Sequence, residues 1–183
     1  LVGSEMCIRD SRQADVGHHQ RQCLGRVLNY FQGRFTILSD DDCVIQRLQH
    51  LSETDIAVWF YGEPGTGRMT GARYLHQLGR NTEGPFIRGE LTLENAGQLN
   101  DLITQAQGGT LVLSHIECLT REQQHHLVHL QSQERRPFRL IGIGATSLVE
   151  LAATNQIVAE LYYCFAMTQI GCQPLSQRPD DIE

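Results

Sequence analysis

No two of the six cysteines, Cys7, Cys23, Cys43, Cys118, Cys164 and Cys172, stand in a CxxC pair, which argues against a zinc ribbon or a thioredoxin-type site. Their even number leaves a disulfide framework open. Nothing else points to secretion, so they read as reduced cytosolic thiols that pack. Basic charge is scarce as well: 15 Lys and Arg face 21 Asp and Glu, a net charge of −6 over 183 residues. Attraction to nucleic-acid phosphates needs clustered Lys and Arg, and that footprint is missing. No apolar run approaches the roughly 18 residues that span a bilayer, so no membrane partner is expected. No basic segment followed by an apolar one opens the chain as a signal peptide would. What is present is 40% hydrophobic and 20% charged, the balance of a globular chain about one domain long.

The amino end asks for separate treatment. The run Met6-Cys7-Ile8-Arg9-Asp10-Ser11 resembles a translated sequencing-library adapter, so residues 1–12 are expected to be a non-native tail on a piece of a longer gene. Residues 13–34 read as a polar linker with an apolar patch at Leu24, Val27, Leu28, Tyr30 and Phe31. Ser39 before Asp40, Asp41 and Asp42 is a helix-start signal, because oxygens and negative charge suit the free amides of a first turn. The helix that follows would bury Val44, Ile45, Leu48 and Leu51.

Further on, apolar runs of strand length alternate with helical patterns. Ile56 to Tyr61 reads as a buried strand, and Ala72, Leu75 and Leu78 mark a helix. Phe86-Ile87 is a short strand, Leu91 to Ala106 a helix ended by Gly108-Gly109, and Thr110 to Leu113 a second buried strand. A helix over Thr120 to Gln133, a strand over Phe138 to Ile143, a helix opening at Leu148 and a strand within Ala166 to Ile170 complete the reading. This order predicts a parallel sheet covered on both faces.

The strongest motif is Gly62-Glu63-Pro64-Gly65-Thr66-Gly67-Arg68, followed by Met69, set between a buried strand and a helix. Glycines there let successive amides turn toward phosphate oxygens, and the helix end adds positive potential. These eight residues are the candidate nucleotide-binding set.

GEPGTGR resembles the GESGTGK loop of the sigma-54-dependent transcriptional activators, a bacterial branch of the AAA+ ATPases. The resemblance continues through Pro85-Phe86-Ile87, Gly108 to Leu113, Glu160-Leu161-Tyr162-Tyr163 (family DLYYRL) and Pro174-Leu175 with Arg178 to Ile182 (family PLRERPEDI). It covers residues 35–183 and implies an α/β P-loop NTPase: a three-layer αβα core with a mostly parallel sheet, truncated before its helical lid. It also implies ATP as ligand, ring assembly, and a sigma-54 RNA polymerase partner. Any DNA contact would fall to a domain outside this chain.

Residue by residue, the catalytic parts of that family depart. Arg68 stands for the loop lysine, keeping the charge on a larger planar fork. Met69 stands where the general motif has a magnesium-binding hydroxyl. The Asp-Glu pair that organises magnesium and activates water aligns with Ser114-His115, and a serine hydroxyl cannot replace an anionic magnesium ligand. The family strand RLIAATN aligns on Arg139 to Ala145, turning its polar sensor pair into Gly144 and Ala145. The arginines that reach a neighbouring subunit's phosphate align with Val158 and Cys164, and losing one such arginine typically costs ~10³-fold or more in phosphoryl transfer. The sigma-contacting GAFTGA loop has no counterpart between Arg88 and Gln107, which weighs against a sigma-54 contact.

His125 and His129 share a helix face near His126 and His115, a spacing that can hold zinc, but no Glu or Cys completes a set, and a solvated face is expected with no metal. Trp59, Phe60, Tyr162 and Tyr163 are expected in the core. The sequence thus predicts a cytoplasmic regulatory nucleotide-fold domain that binds ATP weakly or not at all, has no use for magnesium, and hydrolyses little. The alternatives are an active ATPase in which Arg68 and His115 replace the usual groups, a sensor of another phosphorylated ligand, or a self-association scaffold.

Overall fold

Five short strands, two of them buried along their whole length, build the sheet that carries everything else. A computed structural model of the chain describes residues 43–172, so the adapter-like tail, the linker, the Ser39 cap, the placement of the Val44 and Ile45 side chains, and the Pro174 to Ile182 motif lie outside the described residues. The order of elements is α1 (Cys43–Ser52), β1 (Val58–Gly62), α2 (Arg68–Leu78), β2 (Phe86–Glu90), α3 (Leu99–Gln105), β3 (Thr110–Ser114), α4 (Arg121–Gln131), β4 (Arg139–Gly144), α5 (Leu148–Ala153), α6 (Ala159–Phe165) and β5 (Gln169–Cys172). Single 3₁₀ turns at Ala96–Gln98 and Ile116–Cys118 lead into α3 and α4.

The five strands lie in the order β2-β3-β4-β1-β5, and every neighbouring pair is parallel. Parallel strands need crossover helices, which cover both faces and leave the strands apolar throughout. On one face Val58, Phe60, Val112, Ile141, Ile143 and Ile170 pack with Leu48 and Leu51 of α1 and Ala72, Tyr74 and Leu75 of α2. On the other, Trp59, Leu111, Leu113 and Leu140 pack with Leu99 and Ile103 of α3, Leu127 of α4, Leu148 and Leu151 of α5, and Leu161 and Phe165 of α6. This is the expected three-layer αβα core. Each fully buried large apolar side chain contributes roughly 1.5–3 kcal/mol.

Two polar side chains tie the layers together from inside. Arg139, 1% exposed, donates to the carbonyl oxygens of Leu51 (2.7 Å) and Leu75 (3.3 Å), near the carboxyl ends of α1 and α2. A cation there meets the negative end of each helix. Burial lowers its pKa to about 10, Asp55 partly opposing. Buried Gln124 donates to the carbonyl oxygens of Leu119 (3.1 Å) and Gln156 (3.0 Å), and its Oε1 accepts from the amide of Val158 (2.8 Å). The first turn of α6 is thereby capped by a side chain of α4.

β2 runs on to Glu90 and a helix spans Ala159–Phe165, both beyond the sequence reading, and other places differ too. Leu91 to Ala106 is not one helix: the amide of Thr92 donates to Asn95 Oδ1 (2.7 Å), the amide of Asn95 to Thr92 Oγ1 (3.3 Å), and Asn95 Nδ2 to the carbonyl oxygen of Glu90 (2.9 Å). These bonds hold a turn, and regular helix begins only at Leu99. The fifth strand starts three residues later than Ala166 and runs to Cys172. Tyr163 is 72% exposed rather than in the core, because α6 turns Leu161 and Phe165 inward. Trp59 and Phe60 are fully buried, and Tyr162 packs partly against the core.

Candidate phosphate site

The strand-loop-helix motif folds as its residue types require. β1 ends at Gly62, and Gly65 and Gly67 adopt positive φ of 86° and 90°, left-handed backbone that non-glycine residues rarely take. Thr66, 2% exposed, folds back so that its hydroxyl donates to the carbonyl oxygen of Glu63 at 2.8 Å. Gly67 then caps α2 with no side chain of its own, which leaves the first amides of an 11-residue helix open toward the mouth of the loop.

Carboxyl ends of parallel strands are where ligands bind in such sheets, and a cavity of about 510 Å³ opens here. Of the candidate nucleotide set, Pro64, Gly65, Gly67, Arg68 and Met69 line it, together with Ser114 and His115. Gly62, Glu63 and Thr66 belong to the loop without lining the cavity. Arg88, Glu90 and Thr70 complete the polar wall, and Ile143 and Ala145 the apolar one.

Arg88 and Glu90 were not singled out by sequence. They sit two apart on β2, and Glu90 pairs in register with Ser114, which in turn pairs with Ile143. Paired residues in a parallel sheet share a face, so Glu90, Ser114 and Ile143 form one row beneath the loop. The signal that could have found them is a charged pair closing a strand at the carboxyl edge of a parallel sheet.

Arg68 reaches across the top of the sheet, its Nη1 donating to the carbonyl oxygen of Gly144 at the end of β4. Burial lowers its pKa from the ordinary value, with Cys172 opposing. His115 takes left-handed backbone (φ 60°) that ends β3, and its Nδ1 lies 3.1 Å from Glu117 Oε1.

Strand β4 packs against one ring. A Cβ at Gly142 would fall 2.3 Å from Trp59 Cε3, and one at Gly144 would fall 2.1 Å from Trp59 Cζ2. Trp59 Nε1 donates to the carbonyl oxygen of Thr146 at 3.2 Å. The two positions aligned with the subunit-bridging arginines carry no cation: Val158 is buried, and Cys164 packs partly against the same core. Burial raises the Cys164 pKa.

These residues do not fit a magnesium ion. Met69 offers no oxygen and Ser114 no charge. His115 is turned to Glu117, and the cavity wall holds a single carboxylate, Glu90, with the Ser114 and Thr70 hydroxyls, where magnesium favours several anionic oxygens. Among the described residues no group of three or more His, Cys, Asp or Glu side chains is placed to hold a metal. His125, His126 and His129 lie exposed along α4. Among the described residues no helix is long and apolar enough to cross a membrane.

Comparison with known proteins places the chain. Residues 42–175 match the family model described as the sigma-54 interaction domain. Over 138 residues the chain is 80% identical to the phosphoglycerate transport system transcriptional regulatory protein PgtA of Salmonella typhimurium, covering 75% of this chain and 33% of that protein. Over 167 residues it is 28% identical to the C4-dicarboxylate transport transcriptional regulatory protein DctD of Rhizobium meliloti, covering 75% and 36%. The solved P-loop NTPase domain of a sigma-54 transport activator from E. coli matches with a TM-score of 0.68 at 78% identity, over 71% of this chain and 92% of that one. NtrX from Brucella abortus, in complex with ADP, shares the fold with a TM-score of 0.61 at 18% identity, over 90% of this chain and 44% of that one. The chain spans about a third of the length of the curated relatives it matches.

Proposed function

The chain belongs to the sigma-54 interaction domain family, and from that premise we propose that it is the nucleotide-fold regulatory domain of a bacterial transcriptional regulator in which ATP hydrolysis has been lost. The observation that carries the reading is at the carboxyl edge of the sheet. The loop keeps its phosphate-binding shape, while Ser114 and His115 occupy the place of the family's carboxylates and the Trp59 ring occupies the space of a sensor side chain at position 144. Both a metal-held water and a sensor of the terminal phosphate are then lacking, and chemistry of this kind is almost entirely positioning and charge stabilisation.

In this reading ATP is held weakly or not at all. The domain acts by self-association or by docking within its regulator, in the cytoplasm, without a GAFTGA contact to sigma-54. The NtrX structure with ADP supports a nucleotide as the ligand of this fold. The described residues 43–172 form one α/β unit, and with a net charge of −6 over the chain we assign any contact with DNA to another domain. Phosphate release by the purified chain with ATP and magnesium tests the reading. No turnover above the protein-free rate is expected.

A second reading has one observation in its favour. His115 is oriented by Glu117, as a general base is held by a carboxylate. Under it, His115→Ala would abolish a measurable turnover.

A further inference from the structure

We propose that the cavity beneath the loop takes a polyphosphate group without a divalent cation, Arg88 supplying the positive charge that a magnesium ion would otherwise supply. This rests on the reading that the metal-organising carboxylates are gone. The chain carries a net charge of −6, yet the cavity wall holds Arg68 and Arg88 against Glu90, two positive charges against one negative. This concave surface, which gathers the open amides of a helix start, is therefore cationic within an acidic molecule, and a field of that sign draws anions into it.

Arg88 is the movable part. Its Nη2 lies 3.1 Å from Glu90 Oε2, with the two side chains 56% and 61% exposed. A pair that open to water is weak and screened by salt. A phosphate offers a guanidinium a doubly charged, bidentate acceptor in place of that carboxylate. Arg88 and Glu90 share the face of β2 that looks onto the loop, and the row below them continues through Ser114. Arg88 and the loop residues line one cavity, so phosphates held by the loop offer a guanidinium leaving Glu90 another anion. Arg68, held from the opposite side by the Gly144 carbonyl oxygen, leaves the central space to the ligand. Glu90 is then the competitor: with the cavity empty it keeps Arg88 in place, and its charge opposes the ligand.

Calorimetric titration of the full chain with ATP, ADP and inorganic pyrophosphate, each with magnesium and again with EDTA, tests this. The dissociation constants are expected to agree within about twofold with and without the metal, and pyrophosphate is expected to bind as well as the nucleotides do. Arg88→Ala is expected to weaken binding about five- to tenfold, Arg88→Lys to recover part of the loss, and Glu90→Gln to tighten binding. Both side chains are more than half exposed, so these variants keep the fold, which a thermal melt verifies. Heat for ATP but none for pyrophosphate, or unchanged affinity in Arg88→Ala, overturns the proposal. Binding that appears only with magnesium, without turnover, overturns it while the hydrolysis-defective reading stands, and so does no heat with any probe. Magnesium-dependent turnover overturns both.

Discussion

The indole of Trp59 stands where any side chain at residue 144 would have to begin, with Cζ2 only 2.1 Å from an ideal Cβ on Gly144. A side chain at residue 144 and the present position of the Trp59 ring cannot both stand unless one of them shifts. Gly142 and Gly144 of β4 leave the room that the ring fills.

Gly144→Thr is accordingly expected to destabilise the chain by about 1–3 kcal/mol, the range for overpacking a filled core. Trp59→Leu removes the clash but leaves a cavity, so it too is destabilising alone. The double variant is expected to be more stable than the sum of the two single losses predicts, a coupling that denaturant unfolding of all four proteins measures directly. Strict additivity would contradict the packing relationship.

Arg139→Met is expected to cost about 1–3 kcal/mol, the range for a buried acceptor that loses its partner. It removes the side-chain donor to the Leu75 carbonyl oxygen, while that of Leu51 still accepts from the Thr54 amide (3.2 Å) and hydroxyl (3.0 Å). Thermal or urea melts against the parent chain measure it, and a loss under about 1 kcal/mol would show that water reaches the Leu75 carbonyl.

His76 makes stability fall in mild acid. Its Nδ1 lies 3.0 Å from Thr110 Oγ1, and burial, then the charge of Arg139, lowers its pKa from the ordinary 6.5. Below that value the unfolded imidazole takes a proton that the folded one resists. The unfolded state then binds more protons, and the stability contributed by neutral His76 is lost as pH falls from about 6.5 through the folded value. Melts at about pH 7.5 and about pH 5.5 should differ by less in His76→Gln than in the parent. An equal drop in both would place the acid sensitivity elsewhere.

Reinstating both family carboxylates with Ser114→Asp and His115→Glu is expected to make nucleotide binding responsive to magnesium, because a carboxylate pair supplies the anionic oxygens the metal favours. Turnover is still expected to be absent, since Gly144, Ala145, Val158 and Cys164 remain as they are. Restored hydrolysis in the double variant would show that the carboxylates were the sole missing part.

Much of this architecture could be read from residues alone, because its signals are local. The loop from Gly62 to Met69 declares itself by glycines between an apolar run and a helical pattern, and β1, β3 and β4 by unbroken apolar residues that both faces of a parallel sheet demand. The rest depends on contacts distant in sequence. Phe86 to Glu90 looks too weak for a full strand because of Gly89, yet a Cβ there would meet Leu102 at 2.6 Å and Leu113 at 2.8 Å. With that strand shortened, Arg88 and Glu90 fell outside the site. The start of α6 is capped by Gln124, 34 residues earlier, so no cap signal precedes Ala159. The turn from Thr92 to Asn95 interrupts an apolar spacing that otherwise fits a helix. The meaning of Gly142 and Gly144 appears only once β1 lies beside β4 and brings Trp59 against them.

Phosphate release from ATP by the full chain in magnesium, compared with Arg68→Ala, tests the central claim most directly. The account predicts that both proteins stay at the protein-free rate. A turnover in the parent chain that Arg68→Ala abolishes would contradict it.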